Sequence, residues 1–491
     1  MRVAQTYTFV MSAHHQKLKR TTLMSVVMVG VLLGLAAARF AGQGIAPEYM
    51  VVCIILSVVT LRKKSLLTAT MLALLGISIG LWRGGQFLMQ TAPYASLSSQ
   101  KVTLSVTADS SAVYTTGSQL EFDAAHITVL QPYGVNLPGK MVISGYGENS
   151  VLRGDKLIVT GKLYKRRGGK QAGISFANIK VTMRSASVIE KLRRDFLAGL
   201  ATALPEPHDQ FAAGLLIGQQ SGLSNSVVTI LRSVGLSHII AVSGYNLTIL
   251  AEVARRRIGK KSKYRSTVTS ILLILLFVAL AGSSASIARA AFVSILSLLG
   301  AHYGRSVKPL LLILLAACHT ALSNPFNLWS DIGWYLSFLA FFGVLVVAPS
   351  VQNRIYRHKK EPGSVAALLM ETTSAQLMTI PIILYIFGEV SLVSLVANLI
   401  VVPFVPLAML LSLLAGLAGM ITPSLAGFVA WPARILLGFM LQISSLLSRI
   451  PHALQQAKIS ALIMAGMYVL IVTGVLIMRK KTLKYDKVVT E

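Results

Sequence analysis

Twelve stretches of mostly apolar residues constrain the fold of this chain more than any other feature of its sequence. A helix that crosses the hydrocarbon layer of a membrane needs ~20 apolar residues, and several of these stretches are shorter. Tilted or re-entrant segments would accommodate the short ones. We therefore expect a polytopic α-helical membrane protein with about twelve spans. The stretches are 21–38, 49–61, 66–82, 226–250, 267–282, 287–301, 309–323, 332–350, 365–387, 392–420, 425–448 and 457–478.

The scarcity of charged residues supports this fold class. Only 13% of the residues are charged, whereas soluble domains average ~25%. The charges that are present are strongly basic, with 46 Lys and Arg against 17 Asp and Glu and a net charge of +29. In a soluble protein such an excess would indicate nucleic-acid binding. In a membrane protein, cytoplasmic loops that follow the positive-inside rule are the first explanation to consider.

The positions of the basic clusters orient the spans. Clusters precede the first span and follow the second, fourth, sixth, eighth and twelfth. With twelve spans, all of them fall on one side of the membrane, which the positive-inside rule identifies as the cytoplasmic side. We therefore predict a protein of the cytoplasmic membrane with both termini inside and residues 91–186 outside. The clusters include Lys17, Arg62, Lys260, Lys308, Lys359 and Lys484.

The region predicted to lie outside has the pattern of a small β domain. Five short runs alternate apolar and polar residues, and turn sequences such as Pro138-Gly139 separate them. Five short strands favour a small closed barrel, and the OB fold is the most common choice of that size. The runs are 101–107, 120–130, 141–146, 156–164 and 173–182.

A basic and aromatic cluster lies near the end of this domain. Because the domain is predicted to be outside, the positive-inside rule does not explain its charge. Cations that follow phosphates, beside aromatic rings that stack on bases, are typical of single-strand binding. From the residues alone, a solvated hairpin near anionic headgroups explains the cluster equally well. The DNA-binding candidates are Lys162, Tyr164, Lys165, Arg166, Arg167, Lys170 and Phe176.

Two Gly-x-x-x-Gly pairs predict close packing of membrane helices. Gly30 and Gly34 lie in the first span, and Gly76 and Gly80 lie in the third. Glycines at this spacing let a neighbouring helix approach closely. We interpret both pairs as structural.

No motif for a cofactor or a metal is found. Residues 134–141 resemble the start of a phosphate-binding loop, but Met141 stands where Ser or Thr is needed, and a strand follows instead of a helix. The two cysteines, Cys53 and Cys318, lie in apolar stretches and make neither a disulfide framework nor a Cys-based zinc site. We therefore expect no cofactor, no metal and no ATP site, so that transport would be driven from elsewhere.

Residues 235–250 place polar side chains and a flexible glycine inside an apolar stretch. Such residues are costly at membrane depth unless they face protein or a water-filled path, so we interpret the segment as part of a passage. Isolated Arg289 is expected to pair with another helix or to serve function rather than to snorkel. Plain packing against neighbouring helices is the alternative for this whole set. The candidates for lining the passage are His238, Ser243, Gly244, Asn246, Arg289, Asn324 and Asn398.

Helix boundaries are predicted at three further positions. Asn324-Pro325, and Asn398 together with Pro403, are expected to break helices, as happens in channels and transporters. Asp331 is expected to cap the start of a helix.

Several segments resemble, in order, motifs of the ComEC-type competence family. Gly235-Leu236-Ser237-His238-Ile239-Ile240-Ala241-Val242-Ser243-Gly244 is similar to the family's Gly-Leu-x-His-Leu-Leu-Ala-x-Ser-Gly signature. Residues 153–163, 281–293, 322–340 and 376–403 resemble further family motifs. The resemblance covers roughly residues 60–480. It implies a channel that takes up single-stranded DNA during natural transformation, and it favours DNA as the ligand of the outside cluster.

The chain departs from the family pattern at several points. Asn246 stands where His is more common, and Gln219 and Gln220 replace the usual Asp-Arg pair. Many relatives also continue into a metallo-β-lactamase-like nuclease domain, and the nine histidines here form no ligand set of that kind. We therefore expect a form without that domain, and not an enzyme. The resemblance implies a separate DNA receptor, nuclease and cytoplasmic ATPase or helicase, and it leaves the oligomeric state open.

Two functions of other classes remain as alternatives. A secondary transporter of a small anionic solute would use the broken helices and Arg289, and an internal inverted repeat would favour it. An intramembrane hydrolase would use His238 and Ser243, but a separation of five residues puts them on different faces of a continuous helix. The predicted organisation is a three-span region (1–90), an OB-like domain (91–186), an amphipathic interfacial segment (187–225), a channel core (226–480) and a cytoplasmic tail (481–491).

Overall fold

The computed structural model describes residues 18–490 except 42–46, 61–64, 115–118, 133, 149, 166–169, 220–221, 241–262, 282–284, 306–307 and 357–362. The chain forms two compact units. The first unit comprises residues 1–110, 114–184 and 311–334, and the second comprises 111–113, 185–310 and 335–491.

Helices account for most of the described residues. They are α1 (Arg20–Ala41), α2 (Pro47–Thr60), α3 (Leu66–Ser96), α4 (Val188–Ala203), α5 (His208–Ile217), α6 (Asn225–Ser233), α7 (Ser237–Ile240), α8 (Lys263–Ala281), α9 (Ala285–His302), α10 (Pro309–Ser323), α11 (Phe326–Ser330), α12 (Ile332–Phe342), α13 (Ala348–Tyr356), α14 (Ser364–Ile386), α15 (Ser394–Val401), α16 (Val405–Ile421), α17 (Pro423–Ser448) and α18 (Ala461–Thr490).

Eight helical segments of the described chain are long and apolar enough to cross a membrane. Three shorter apolar helices, Val51–Thr60, Ser286–His302 and Pro309–Ser323, accompany them. These eleven segments correspond to eleven of the predicted apolar stretches. The twelfth stretch, 226–250, begins with α6 and α7, and its residues from 241 onward lie outside the described residues. The protein is a multi-pass membrane protein, and the exact number of spans stays a prediction.

The Gly-x-x-x-Gly pairs bring the backbones of α1 and α3 into direct contact. A Cβ atom built on Gly34 would lie 2.1 Å from the carbonyl oxygen of Ile77, and one built on Gly80 would lie 2.3 Å from that of Val31. Both distances are far below an ordinary van der Waals contact, so no larger residue fits without moving a helix. The predicted close packing of the first and third spans is confirmed.

A sheet of seven strands forms a separate part of the first unit. The strands are β1 (Lys101–Ala108), β2 (Val113–Tyr114), β3 (Leu120–Gln131), β4 (Val135–Leu137), β5 (Met141–Tyr146), β6 (Lys156–Lys165) and β7 (Ala172–Met183). The five predicted runs are confirmed as β1, β3, β5, β6 and β7, because alternation of apolar and polar residues is a strong strand signal. The short strands β2 and β4 were not predicted.

The five long strands pair in a closed circuit, β1–β3–β5–β7–β6–β1. All of these pairings are antiparallel except β5–β7, which is parallel. Alternate side chains point inward and make an apolar core that includes Leu104, Val129, Ile143 and Leu157. The other face of each strand is left for solvent or ligand.

The second unit is built around a core in which α4 packs against α16. A Cβ atom on Gly419 of α16 would lie 2.0 Å from the carbonyl oxygen of Gly199 in α4, so these backbones touch. Leu200 and Leu204 continue the contact and are buried, whereas Val188 and Ile189 at the start of α4 are exposed. The predicted interfacial segment 187–225 therefore has a firmly packed part as well as an exposed one.

Two candidate spans of the second unit contain irregular turns. A 3₁₀ turn, Val402–Phe404, separates α15 from α16 and includes Pro403. A π-helical turn, Gly343–Val347, joins α12 to α13. The break at Pro403 follows the prediction, because proline lacks the N–H that continues a helix. Nothing in the sequence pattern had predicted the π turn. A short two-stranded sheet of β8 (Glu389–Ser391) and β9 (Leu454–Gln456) completes the unit.

Candidate functional site

A cluster of polar residues lies where the chain after α6 meets the start of α15. Helix α6 ends at Ser233, and Gly235 two residues further on has a φ of +74°, which is easily adopted only by glycine. A Cβ atom on Gly235 would lie 2.6 Å from the Cβ atom of Ser394, so a larger residue would also collide with α15. The glycine that opens the 235–250 segment therefore serves both a turn and a helix contact.

An ion pair joins α6 to β8, the short strand that precedes α15. The guanidinium of Arg232, in the last turn of α6, lies 2.9 Å from the carboxylate of Glu389 on β8. More than half of the arginine side chain is exposed. Such a pair contributes little stability, on the order of 0–1 kcal/mol, and its main effect is to orient the two elements.

Gln376 and Ser394 connect α14 to α15 by a chain of hydrogen bonds. The Gln376 side-chain amide donates to the Ser394 hydroxyl at 3.2 Å. That hydroxyl donates in turn to the carbonyl oxygen of Ser391 at 2.9 Å. These two hydrogen bonds attach Ser394 to α14 on one side and to the backbone of Ser391 on the other. Together they set the position of the first turn of α15.

Asn398 lies one turn further along α15, on the same face as Ser394. Its side chain is only 6% exposed. The buried side-chain oxygen of Asn398 has no hydrogen-bond partner among the described residues. Leaving such an atom unsatisfied costs about 1–3 kcal/mol. A buried amide of this kind beside a broken helix is typical of a functional position in a membrane protein.

Arg289 of α9 faces the protein interior. Its side chain is 2% exposed, and its guanidinium carbon lies 5.7 Å from the centre of the Phe338 ring. A cation over an aromatic face is stabilised most where water is excluded. This burial agrees with the expectation that Arg289 pairs within the helix bundle and does not snorkel.

The other candidates for lining a passage are distributed differently. The imidazole Nδ1 of His238 lies 3.2 Å from the carbonyl oxygen of Gly235, and the His238 side chain is exposed. Ser243, Gly244 and Asn246 lie outside the described residues. Asn324 belongs to the first unit, where its side-chain oxygen accepts a hydrogen bond from the N–H of Phe326 and caps α11. That these candidates other than His238 converge on one water-accessible cavity stays a prediction.

Helix capping at Asp331 follows the prediction. The carboxylate of Asp331 accepts a hydrogen bond of 2.9 Å from the N–H of Gly333 in the first turn of α12. An acceptor at this position satisfies an N–H that has no partner within the helix.

Two arginine side chains that hold distant backbone carbonyls in the first unit were missed by the sequence reasoning. Arg39 of α1 donates a hydrogen bond of 3.0 Å to the carbonyl oxygen of Trp329. Arg83 of α3 donates one of 2.9 Å to the carbonyl oxygen of Leu322. Each bond joins a long helix to a segment about 240 or more residues away in the chain. The sequence signal that could have identified these two residues is an isolated arginine at the end of an apolar stretch.

The basic and aromatic candidates of the sheet domain are not equivalent. Lys170 makes an ion pair with Asp123 of β3. The ring of Tyr164 covers Gly173 on the adjacent strand, because a Cβ atom there would lie 2.6 Å from the ring. Lys162 and Phe176 are exposed. The backbone of Lys165 is in β6, whereas Arg166 and Arg167 lie outside the described residues.

The strands β1, β6 and β7 contain no acidic residue. Their lysines are Lys101, Lys156, Lys162, Lys165 and Lys180. The neighbouring strand β3 differs, since it carries Glu121 and Asp123. The sequence reasoning missed Lys101 and Lys180, because only strand pairing brings them to the same part of the sheet as Lys162.

No trio of His, Cys, Asp or Glu in the described parts of the chain is placed to hold a metal ion.

The polar cluster lies inside the part of the chain that matches a known family. Residues 215–481 match the profile of the family described as Competence protein. A relative of similar sequence is ComE operon protein 3 of Bacillus subtilis (strain 168), which is 27% identical over 216 residues. That match covers 43% of this chain but only 27% of the relative. No solved structure matches. The chain belongs to the competence protein family.

Proposed function

We propose that this chain forms a conduit through which a single strand of DNA crosses the cytoplasmic membrane during natural transformation. The observation that carries the proposal is the match of residues 215–481 to the competence protein family. The matched region contains the broken span at Pro403, buried Arg289 and buried Asn398. A plain membrane anchor requires none of these features.

The character of the polar groups suits a polyanion that has to keep moving. Conduction requires sites that are favourable enough to enter and weak enough to leave. The cluster around α15 supplies amide and hydroxyl groups, namely Gln376, Ser394 and Asn398, and no lysine or arginine lies on α15. Neutral amide N–H and hydroxyl donors would contact phosphate oxygens without trapping them.

The proposed orientation places both termini in the cytoplasm and the sheet domain outside, with about twelve spans. One-sided basic clusters support it. The closed pairing circuit with one parallel pair supports an OB-like barrel for residues 91–186. In this proposal the sheet domain receives the strand before it enters the membrane.

The conduit acts in this proposal as a passive element and not as an enzyme. Its partners are single-stranded DNA, the bilayer, a separate DNA receptor, a nuclease, and a cytoplasmic ATPase or helicase that pulls the strand. The absence of a complete phosphate-binding loop in the sequence, argued from Met141, supports an external source of energy.

Deletion of the gene in a transformable host tests the proposal. Fluorescent duplex DNA should still bind to the cell surface, but no nuclease-protected label should reach the cytoplasm. Complementation with the intact chain should restore protection, and the variant Asn398→Leu, which keeps a similar volume, should restore it only weakly. Normal cytoplasmic uptake in the deletion strain would exclude the proposed role.

A further inference from the structure

We propose that the outer face of strands β1, β6 and β7 is a binding surface for single-stranded polynucleotide, in which Phe176 stacks on a base and Lys101, Lys162 and Lys180 contact phosphates. The inference rests on the proposed function only for the source of the strand. It assigns the ligand to strand positions other than the basic segment 165–170 of the sequence.

Phe176 is an unusual residue for its position. Its φ of +53° lies in the left-handed region, where a bulky side chain is disfavoured. The register of β7 shifts here against both neighbours, so Phe176 is the extra residue of a β-bulge. The ring is 75% exposed to solvent. Backbone strain and an exposed aromatic ring are both unfavourable in the free protein, and their coincidence indicates a functional position.

Cations surround this ring on the same face of the sheet. In the register of the sheet, Lys162 of β6 lies opposite Ser175, the residue before Phe176 on β7. On the other side of β6, Lys162 lies opposite Lys101 of β1. Lys180 lies further along β7 and is also exposed. Hydroxyl groups of Thr103 and Thr160, which lie 3.3 Å apart, fill the space between the charged positions. Base stacking beside cations is the usual basis of single-strand binding.

Acidic residues separate this face from the rest of the sheet. Glu121 and Asp123 lie on β3, and Asp123 is already paired with Lys170. Near the β7 end of the face, the Glu148 carboxylate is held by the N–H of Val181 at 2.8 Å. A polyanion would therefore be repelled from the β3 side and attracted to the β1–β6–β7 side.

Binding by the full chain in nanodiscs tests the surface. The probe is a fluorescent oligothymidylate of about twenty nucleotides, longer than the ~4–16 that one such domain occupies. Phe176→Leu keeps an apolar side chain but removes the stacking ring, and should weaken binding about 5- to 150-fold. Phe176→Tyr should restore it. Lys162→Gln should reduce the slope of log affinity against log salt by about 0.7.

Controls separate stacking from charge and from folding. Lys140→Gln alters a lysine that is paired with Asp109, and should leave binding unchanged. An abasic oligomer of the same length should bind Phe176→Leu and the unaltered chain equally. Equal affinity of Phe176→Leu and the unaltered chain for oligothymidylate would overturn the inference.

A tryptophan reporter distinguishes DNA from lipid. The chain has four native tryptophans, so the signal is the emission that Phe176→Trp adds to that of the unaltered chain. This added emission should be quenched by oligothymidylate and not by brominated lipid. Quenching of the added emission by brominated lipid would show that the residue contacts the bilayer, and would also overturn the inference. The result is independent of the proposed function, because uptake in the deletion strain and binding to this surface are measured separately.

Discussion

Replacing Gly34 by alanine should separate α1 from α3 and destabilise the first unit. The new Cβ atom would lie 2.1 Å from the carbonyl oxygen of Ile77. An ordinary contact of this kind is near 3.4 Å, so the helices would have to part by roughly 1.3 Å. A gap of that size removes much of the dispersion attraction along the contact, because a 0.5–1 Å gap already forfeits about a quarter to a half of it.

The expected magnitude combines two opposing effects. Overpacking of a well-packed contact costs about 1–3 kcal/mol. Alanine is a better helix former than glycine by about 1 kcal/mol. The net loss should therefore lie between about 0 and 2 kcal/mol. The 2.1 Å approach places it near the upper end, which is roughly a 30-fold shift of the unfolding equilibrium.

Gly466→Ala in α18 is the matched control. A Cβ atom on Gly466 would have no neighbour within 4 Å, so only the helix-forming effect remains. Unfolding of the two variants in mixed detergent micelles, followed by far-UV circular dichroism against increasing SDS, compares them under the same conditions. Gly34→Ala should unfold at lower SDS than the unaltered chain, and Gly466→Ala should not. Equal midpoints for the two variants would refute the argument from backbone contact.

Three further predictions concern orientation, the buried arginine and pH. Reporters fused after Lys260, Lys359 or Lys484 should report the cytoplasm and one inserted near Gly168 the outside; a cytoplasmic signal at Gly168 would refute the orientation. Phe338→Leu removes the ring facing Arg289 and should cost about 2 kcal/mol in the same SDS assay, whereas Phe338→Tyr should cost much less. Burial lowers the pKa of His208, so the unfolded state binds the proton more readily and stability should fall as the pH drops below about 6.5. His208→Gln should abolish that dependence, and an unchanged pH profile would contradict it.

The membrane class and the strands of the sheet domain could be predicted because each depends on local pattern. Long apolar stretches have few alternatives to membrane helices. Alternating residues, as in Lys101–Ala108, identify strands from neighbouring positions alone. The same reasoning recognised Gly30, Gly34, Gly76 and Gly80, since their spacing is a property of single helices. It also recognised the segment that begins at Gly235, by its polar residues in an apolar setting.

Side-chain partners could not be predicted, because they depend on elements far apart in the chain. Lys170 and Phe176 are close in sequence, and both are DNA-binding candidates by residue type. In the fold, however, Lys170 lies beside Asp123, whereas Phe176 is exposed on a bulge. Lys101 and Lys162 are about sixty residues apart and become neighbours only in the sheet. The contact of Gly235 with Ser394 likewise joins segments that no local pattern connects.

The sequence by itself therefore determined that this protein lies in the membrane, carries a β domain and has polar residues inside apolar stretches. These properties follow from the solvation of single segments. Only the tertiary structure decided which cations remain free to meet a ligand, which glycines are contacts and which polar atoms are buried. Those properties follow from the packing of distant segments, because a charge or an amide is satisfied or left exposed by whatever the fold places next to it.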